Sequence, residues 1–199
     1  MTGCASSTLP PSPVPEFSTI ELTPDREALL QRFLEANPEY YENFYGEPPG
    51  PDEAHREIHE PLPAGWSFTR KWLIGYLDAS GELVAMAHVV SDLLAPKVWH
   101  IGFFVIATSR HGSGLAQALY AGLERWMFAS GAEWLRLGVV AGNARGEGFW
   151  ASCGFLETRT RHDTPYRKRT QTMRVLYKAL AGGTLEEYRT LVPRDRPEH

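Results

Sequence analysis

Cysteine is scarce in this chain: its 199 residues hold only Cys4 and Cys153. Two isolated cysteines exclude a disulfide framework and suit a reducing compartment, so a cytoplasmic location is expected. Long apolar runs are missing too. Nothing approaches the roughly eighteen consecutive apolar residues of a spanning helix, so no membrane segment is expected. No charge of one sign dominates: 20 Lys and Arg face 24 Asp and Glu, a net charge of −4, which disfavours a nucleic-acid partner. The N-terminus lacks the basic start and apolar core of a secretory signal. Its run of Pro10, Pro11, Ser12, Pro13 and Pro15 reads instead as a flexible lead-in over 1–16. Internal repeats are absent. The seven histidines show no ligand spacing with acidic partners, so no metal site is expected. What remains is about one domain's length of chain, enough to bury a real core.

The most informative stretch that is present is 110–119, Arg-His-Gly-Ser-Gly-Leu-Ala-Gln-Ala-Leu. A β-branched and aromatic run precedes it. Leu115, Leu119, Leu123 and Trp126 then recur at helical spacing. The glycines therefore lie where a strand turns into a helix, where unpaired amides and the positive end of a helix dipole face outward. Gly112 and Gly114 let an anion approach the main chain closely. A P-loop is excluded because no lysine follows. A dinucleotide-binding turn is excluded because the third glycine is missing and Glu133 precedes a strand rather than ending one. Taken alone, the loop reads either as a phosphate cradle or as a glycine turn that merely caps a helix.

The rest reads as one α/β unit: a mixed, mostly antiparallel sheet with helices on both faces. Strands are expected at 18–22, 68–78, 82–92, 98–106, 134–140, 155–161 and 170–180. Thr23-Pro24 opens a helix running towards Asn37-Pro38. Asn143 caps a short helix over 144–152 that Gly154 ends. An acidic, aromatic insert covers 37–65. The domain proper spans 17–181, and a tail over 182–199 carries one amphipathic helix at 185–191 and a charged, frayed end. Cys153 reads as a small buried residue rather than a nucleophile.

Two motifs in order, His111-Gly112-Ser113-Gly114-Leu115-Ala116 and then Asn143, Phe149-Trp150 and Gly154-Phe155, make the chain resemble the GNAT acetyltransferase superfamily. The first matches that family's acyl-CoA loop, with His111 in place of the opening Arg or Gln. The second matches its Asn, short helix and Gly-Phe, with Trp150 where members often carry a tyrosine that protonates the departing thiolate. An indole N–H cannot act as an acid at neutral pH. A thiol of pKa near 8.5 is nonetheless a tolerable leaving group. The resemblance implies a single-domain GNAT-like fold and acetyl-CoA as co-substrate. It implies CoA contacts from Ile106, His111, Gly112, Ser113, Gly114, Leu115, Ala116, Asn143 and Trp150, with the Ile106 N–H meeting the thioester carbonyl. No metal is implied, and homodimers are common among relatives.

Acyl transfer to an amine needs a neutral nucleophile, whereas a lysine-like ammonium has a pKa near 10.4. A base, or a water chain to one, is required. His100 shares a strand face with Gly102, Phe104 and Ile106 if alternation is regular. Hairpin pairing across residues 93–96 puts His88 nearly opposite it, so the two imidazoles are the candidate bases. Gly102 stands where many relatives carry a glutamate, which rules out an acid there. The insert supplies carboxylates among aromatic rings, and Tyr41, Tyr45 and Glu42 are the candidate contacts for a cationic acceptor. A basic run at 159–169 competes for acceptor, CoA phosphate or water. The expected activity is N-acetyl transfer to a primary amine of a small molecule or peptide, by direct attack in a ternary complex. A non-catalytic acyl-CoA sensor of the same fold and a longer acyl donor stay open.

Overall fold

The computed structural model describes residues 9–197. In chain order its elements are β1 (Ser18–Glu21), α1 (Glu27–Ala36), α2 (Glu39–Tyr45), α3 (Glu53–His59), β2 (Arg70–Leu77), β3 (Leu83–Ser91), β4 (Val98–Ile106), α4 (Leu115–Ala129), β5 (Trp134–Val140), α5 (Ala144–Ser152), β6 (Leu156–Tyr166), β7 (Arg169–Ala179) and α6 (Leu185–Leu191). The strands form one sheet ordered β1-β2-β3-β4-β5-β7-β6. Only β4 and β5 run parallel, joined by the α4 crossover that a parallel pair requires. Leu119, Leu123, Trp126 and Met127 of α4 and Trp150 of α5 pack on one face against Trp72, Ala87, Trp99 and Leu137. On the other face, α1–α3 bury Leu30, Phe33, Leu34, Tyr41 and Ala54 against Leu73, Met86 and Phe103. Tyr188 of α6 covers Val98, Trp134 and Tyr177. This is the mixed, two-faced α/β sheet the sequence predicts.

Several boundaries fall where local chemistry puts them. Asn143 Oδ1 accepts the Gly146 N–H at 3.0 Å and starts α5. Gly154, with φ of +84°, ends it in the left-handed conformation that favours glycine. Other expectations are corrected. The turn between β3 and β4 takes residues 92–97 rather than 93–96, closed by the Lys97 N–H on Asp92 Oδ1 at 2.7 Å. Of the lead-in, residues 1–8 with Cys4 lie outside the described residues, while Leu9 and Val14 pack against the main core. The tail is not frayed through Arg196. Asp195 is buried, accepts from Arg136 Nε and Nη2 at 2.8 and 3.0 Å, and accepts the Tyr188 hydroxyl at 2.7 Å. A buried, bidentate pair of this kind costs about 3–5 kcal/mol to break from one side.

The feature that makes the site is a bulge in β4. Ile101 pairs with Val89, but Phe103 pairs with His88, so Gly102 is an extra residue. An inserted residue turns every following side chain to the opposite face. Trp99 and Ile101 face α4, Phe103 faces α1–α3, and Phe104 and Ile106 face α4 again. The expectation that His100 shares its face with Phe104 and Ile106 is therefore wrong; it shares it with Gly102 and Phe103. The β4–β5 ladder also stops at Ile101↔Leu137, while β5 stays paired with β7 to Val140. Past the bulge the two parallel strands splay apart.

Candidate active site

The splay opens a cleft of about 860 Å³ between the ends of β4 and β5. Its walls are the loop after β4, the start of α4, α5 and one side of α2. The Ala107 N–H donates to Val84 O at 2.8 Å. With the register, this makes 86/105 and 88/103 the hydrogen-bonded pairs and 85/106 and 87/104 the others. Phe104 and Ile106 thus turn their N–H and C=O groups away from β3 and into the gap. The His111 side chain agrees with this, since its Nε2 lies 3.1 Å from Ile106 O.

At one end stands the glycine loop. Gly114 is the N-cap of α4, with φ of +81°, and Gly112 has φ of +77°. A Cβ at either position would meet no atom within 4 Å, so the space before both is open. The first-turn amides of α4, over residues 115–117, have no intrahelical acceptor and line the cleft. Asn37 holds the loop from the far side: its Oδ1 accepts the Thr108 N–H at 2.6 Å, and its amide donates to Phe33 O at 2.7 Å. Arg145 lies beside the loop, with Nη1 2.7 Å from His111 Nδ1 and 3.4 Å from Glu39 Oε2. A guanidinium can only donate, so His111 accepts at Nδ1 and donates from Nε2 to Ile106 O. A cation in the first turn of a helix opposes the dipole. That misplacement of Arg145 is the sequence signal for a functional role, one the motif reading did not use.

Along the middle runs an aromatic wall. Phe104 lies 5.9 Å from Phe149 and 5.8 Å from Trp150, ring centre to ring centre. Trp150 is wedged among Phe104, Tyr120, Phe149 and Phe155. The phenol beside its ring, Tyr120, hydrogen-bonds Glu124 and does not line the cleft. Burial and that contact push the Tyr120 pKa far up, so it does not replace the missing acid. Cys153 is half-buried and burial raises its thiol pKa, which suits the inert reading.

The far end is α2, and here the phase of the helix differs from the sequence expectation. Glu39, Tyr40, Asn43 and Phe44 line the cleft. Tyr41 faces the core, fully buried, and donates its hydroxyl to Glu57 at 2.8 Å. Tyr45 lies under the Arg167 guanidinium at 4.1 Å, and Glu42 is exposed away from the cleft. Tyr41, Tyr45 and Glu42 thus miss the cleft by one or two positions of a seven-residue helix. Among the described residues lining it, Glu39 is the one carboxylate. The basic run over 159–169 meets the insert rather than the cleft: Arg167 pairs with Glu53, Lys168 with Glu47, and Arg169 donates to Asn43 O at 3.3 Å.

Neither His88 nor His100 lines the cleft. They lie on one face but are not paired: His88 is opposite Phe103 and His100 is opposite Val90. His88 Nδ1 would stand 2.9 Å from a Cβ at Gly102, which does line the cleft. The imidazole therefore lies directly behind a floor residue of β4 that has no side chain. Its Nε2 is buried without a partner. Burial, helped by the Lys71 charge, pushes its pKa down to about 4. His100 Nδ1 donates to Arg136 O at 3.1 Å. Burial and the Arg136 guanidinium hold its pKa well below the usual imidazole range. Both rings are neutral across the physiological range.

His55 and His59, four apart on α3, meet Glu27 of α1 outside the cleft, a cluster whose members lie 28 and 32 positions from Glu27 in the chain. No helix among the described residues is long and apolar enough to cross a membrane.

The profile of the Acetyltransferase (GNAT) family matches residues 30–155. No curated protein matches the chain by sequence. Among solved structures, an acetyltransferase from Thermus thermophilus is similar at 20% identity and a TM-score of 0.62, covering 82% of this chain and 97% of that one. The ribosomal-protein-S18-alanine N-acetyltransferase of Escherichia coli is similar at 15% identity and TM-score 0.62, over 84% and 96% of the two chains. So is the spermidine N-acetyltransferase of Vibrio cholerae, solved with CoA and spermine, at 15% identity and TM-score 0.63, over 82% and 95%. Those identities speak for the fold. The profile spans more than half the sequence and covers both the glycine loop and the Asn143–Phe155 motif, so the chain belongs to the GNAT acetyltransferase family.

Proposed function

We propose that the chain moves an acetyl group from acetyl-CoA to a primary amine of a small molecule or peptide, by direct attack within a ternary complex. The observation that carries this reading is the splay between β4 and β5, which turns the Phe104 and Ile106 amides into a cleft beginning at an open glycine cradle. Backbone N–H groups at Gly112, Gly114 and the first turn of α4, flanked by Arg110 and Arg145, suit a pyrophosphate. Space for a Cβ before both glycines is what such a group needs. The Ile106 N–H is proposed to meet the thioester carbonyl, where charge builds up on oxygen during attack. The amine nitrogen forms the new C–N bond, the C–S bond breaks, and the thiolate leaves with the electron pair. Trp150 supplies shape at that end and solvent supplies the proton.

The acceptor is proposed to enter between Glu39, Tyr40, Asn43 and Phe44, where one carboxylate and two aromatic faces attract a cation. His88, behind Gly102, is proposed to take up the amine proton through water and pass it on. A base works best with a pKa near the working pH. An imidazole at about 4 therefore conducts a proton rather than storing it. Trp150 in the tyrosine's place favours a second reading, the acyl-CoA sensor.

Calorimetric titration with acetyl-CoA, followed by thiol release against an amine panel, separates the readings. The panel includes spermidine and an alanine-initiated peptide, after the acceptors named for two structural neighbours. Binding with release on amines supports the transferase. Binding with no turnover on any amine makes the protein a sensor, and no binding removes both.

A further inference from the structure

Outside the cleft, two short helices meet in a way that acetyl transfer does not use. Glu27 is the first residue of α1, and His55 and His59 share one face of α3 at i and i+4. Glu27 Oε1 lies 2.9 Å from His55 Nδ1 and 3.0 Å from His59 Nε2, and all three ligand atoms fall within 4.8 Å of one another. The two imidazole rings lie 4.2 Å apart. We infer that Glu27, His55 and His59 form a binding site for a divalent transition metal of the zinc class.

Three features carry the inference. The first is distance. Zinc bonds of about 2.0–2.2 Å in a tetrahedron separate neighbouring ligand atoms by about 3.3–3.6 Å, so a small outward shift of the imidazoles admits the ion. The second is donor type. Two neutral nitrogens and one carboxylate oxygen suit zinc, nickel or copper, whereas magnesium and calcium prefer oxygen alone. The third is access. All three side chains reach solvent, so the ion has an entry path and water completes its coordination. In the metal-free protein one carboxylate oxygen faces two ring nitrogens, and the ion replaces those two contacts with three bonds.

The site also has a mechanical consequence. Helix α3 has seven residues, too few to be stable alone. From its other side, Glu53 holds Arg167 of the β6–β7 turn and Glu57 holds the Tyr41 hydroxyl behind the cleft wall. A metal joining α3 to α1 braces that wall from outside. The inference stands independently of the transferase reading, because its test reads metal rather than turnover.

Untagged, metal-free full-length protein with its two cysteines alkylated is titrated calorimetrically with Zn²⁺, and separately with Co²⁺ while the visible spectrum is recorded. One ion per chain at low micromolar affinity or tighter, cobalt d–d bands and a raised melting temperature with Zn²⁺ are expected. His55→Ala and His59→Gln should each weaken binding by more than about tenfold, since losing even a supporting group behind a ligand costs that much. Both positions are exposed, so unchanged melting of the metal-free variants shows that they fold. Binding that survives the double variant, or no binding at millimolar Zn²⁺, overturns the site.

Discussion

The two ends of the cleft are built from different materials. The glycine end is backbone: outward amides of β4, two left-handed glycines and the first turn of α4, whose amides have no intrahelical acceptor. The α2 end is side chain: Glu39, Tyr40, Asn43 and Phe44 on a helix of seven residues held by contacts from elsewhere. A backbone site follows from a local run of sequence, because the residues that shape it are also neighbours in the chain. A side-chain site depends on helix phase, which tertiary packing decides. The glycine end is therefore set by local chemistry, while the α2 end is set by packing, with Tyr40 held against Phe103 and Phe44 against Tyr166.

The largest test of that contrast is Gly114→Glu. Nothing stands within 4 Å of a Cβ there, so the damage to folding is limited to the left-handed backbone, about 1–2 kcal/mol, or a few degrees in melting temperature. A carboxylate placed in the cradle should abolish acetyl-CoA binding in calorimetry. Retained binding would remove the backbone end from the mechanism.

Next in size is His88→Ala, expected to lower kcat by about 10²-fold, the low end for lost proton transfer, with acetyl-CoA affinity unchanged. His100→Ala, beside the buried Arg136–Asp195 pair, should instead show mainly in stability. Because His88 stays neutral down to about pH 4, the wild-type kcat/KM should rise with the acceptor's own deprotonation and show no bend near pH 6.5. Stability carries the converse sign. The native pKa is below the unfolded value near 6.5, so the unfolded chain binds the proton first. Stability is full above about pH 6.5 and falls until about pH 4, by about 3 kcal/mol for this group. His88→Gln should flatten that part of the urea-midpoint profile. An unchanged profile would contradict the buried, neutral ring.

How much was legible from the sequence follows the same division. Helix α5 could be bounded because Asn143 and Gly154 act within a few residues of themselves. The ends of β4 were legible too, but its faces were not. One extra residue at Gly102 reverses everything after it, and no local signal separates a bulge glycine from any other strand glycine. The same insertion gives His88 Phe103 as its partner in place of Gly102, while His100 stays opposite Val90. The phase of α2 was hidden because Tyr40, Tyr41, Phe44 and Tyr45 are aromatic on two sides. Asp195 holding Arg136 across 59 positions is a tertiary fact with no pattern in the chain; His55 and His59 are spaced four apart, but their meeting with Glu27 is tertiary.

Helix phase can be tested directly with adjacent tyrosines. Tyr40 stacks on Phe44 at 5.6 Å and meets Phe103 at 4.2 Å on the cleft wall. Tyr40→Ala should raise the KM for the amine about tenfold, about 1.4 kcal/mol, in line with one lost aromatic contact to a cation. Tyr41→Phe leaves Glu57 without its hydroxyl donor, so it should lower stability by about 1–3 kcal/mol and leave KM alone. The reverse result would put the other face of α2 in the cleft.

The smallest effect separates a placed carboxylate from a diffuse acidic field. Glu39 lines the cleft and reaches Arg145 at 3.4 Å, whereas Glu42 points to solvent one turn's fraction away. Both carry one negative charge on the same helix, so a long-range field would count them nearly equally, and salt would screen both. A contact would not. Glu39→Gln should raise the KM of a cationic amine by about 3–5-fold, the weight of a partly exposed ion pair. It should also tighten acetyl-CoA slightly, because Arg145 loses its competing partner. Glu42→Gln should change neither quantity. If the two variants match, and if added salt erases both effects together, the insert attracts amines as a whole and Glu39 is not their contact.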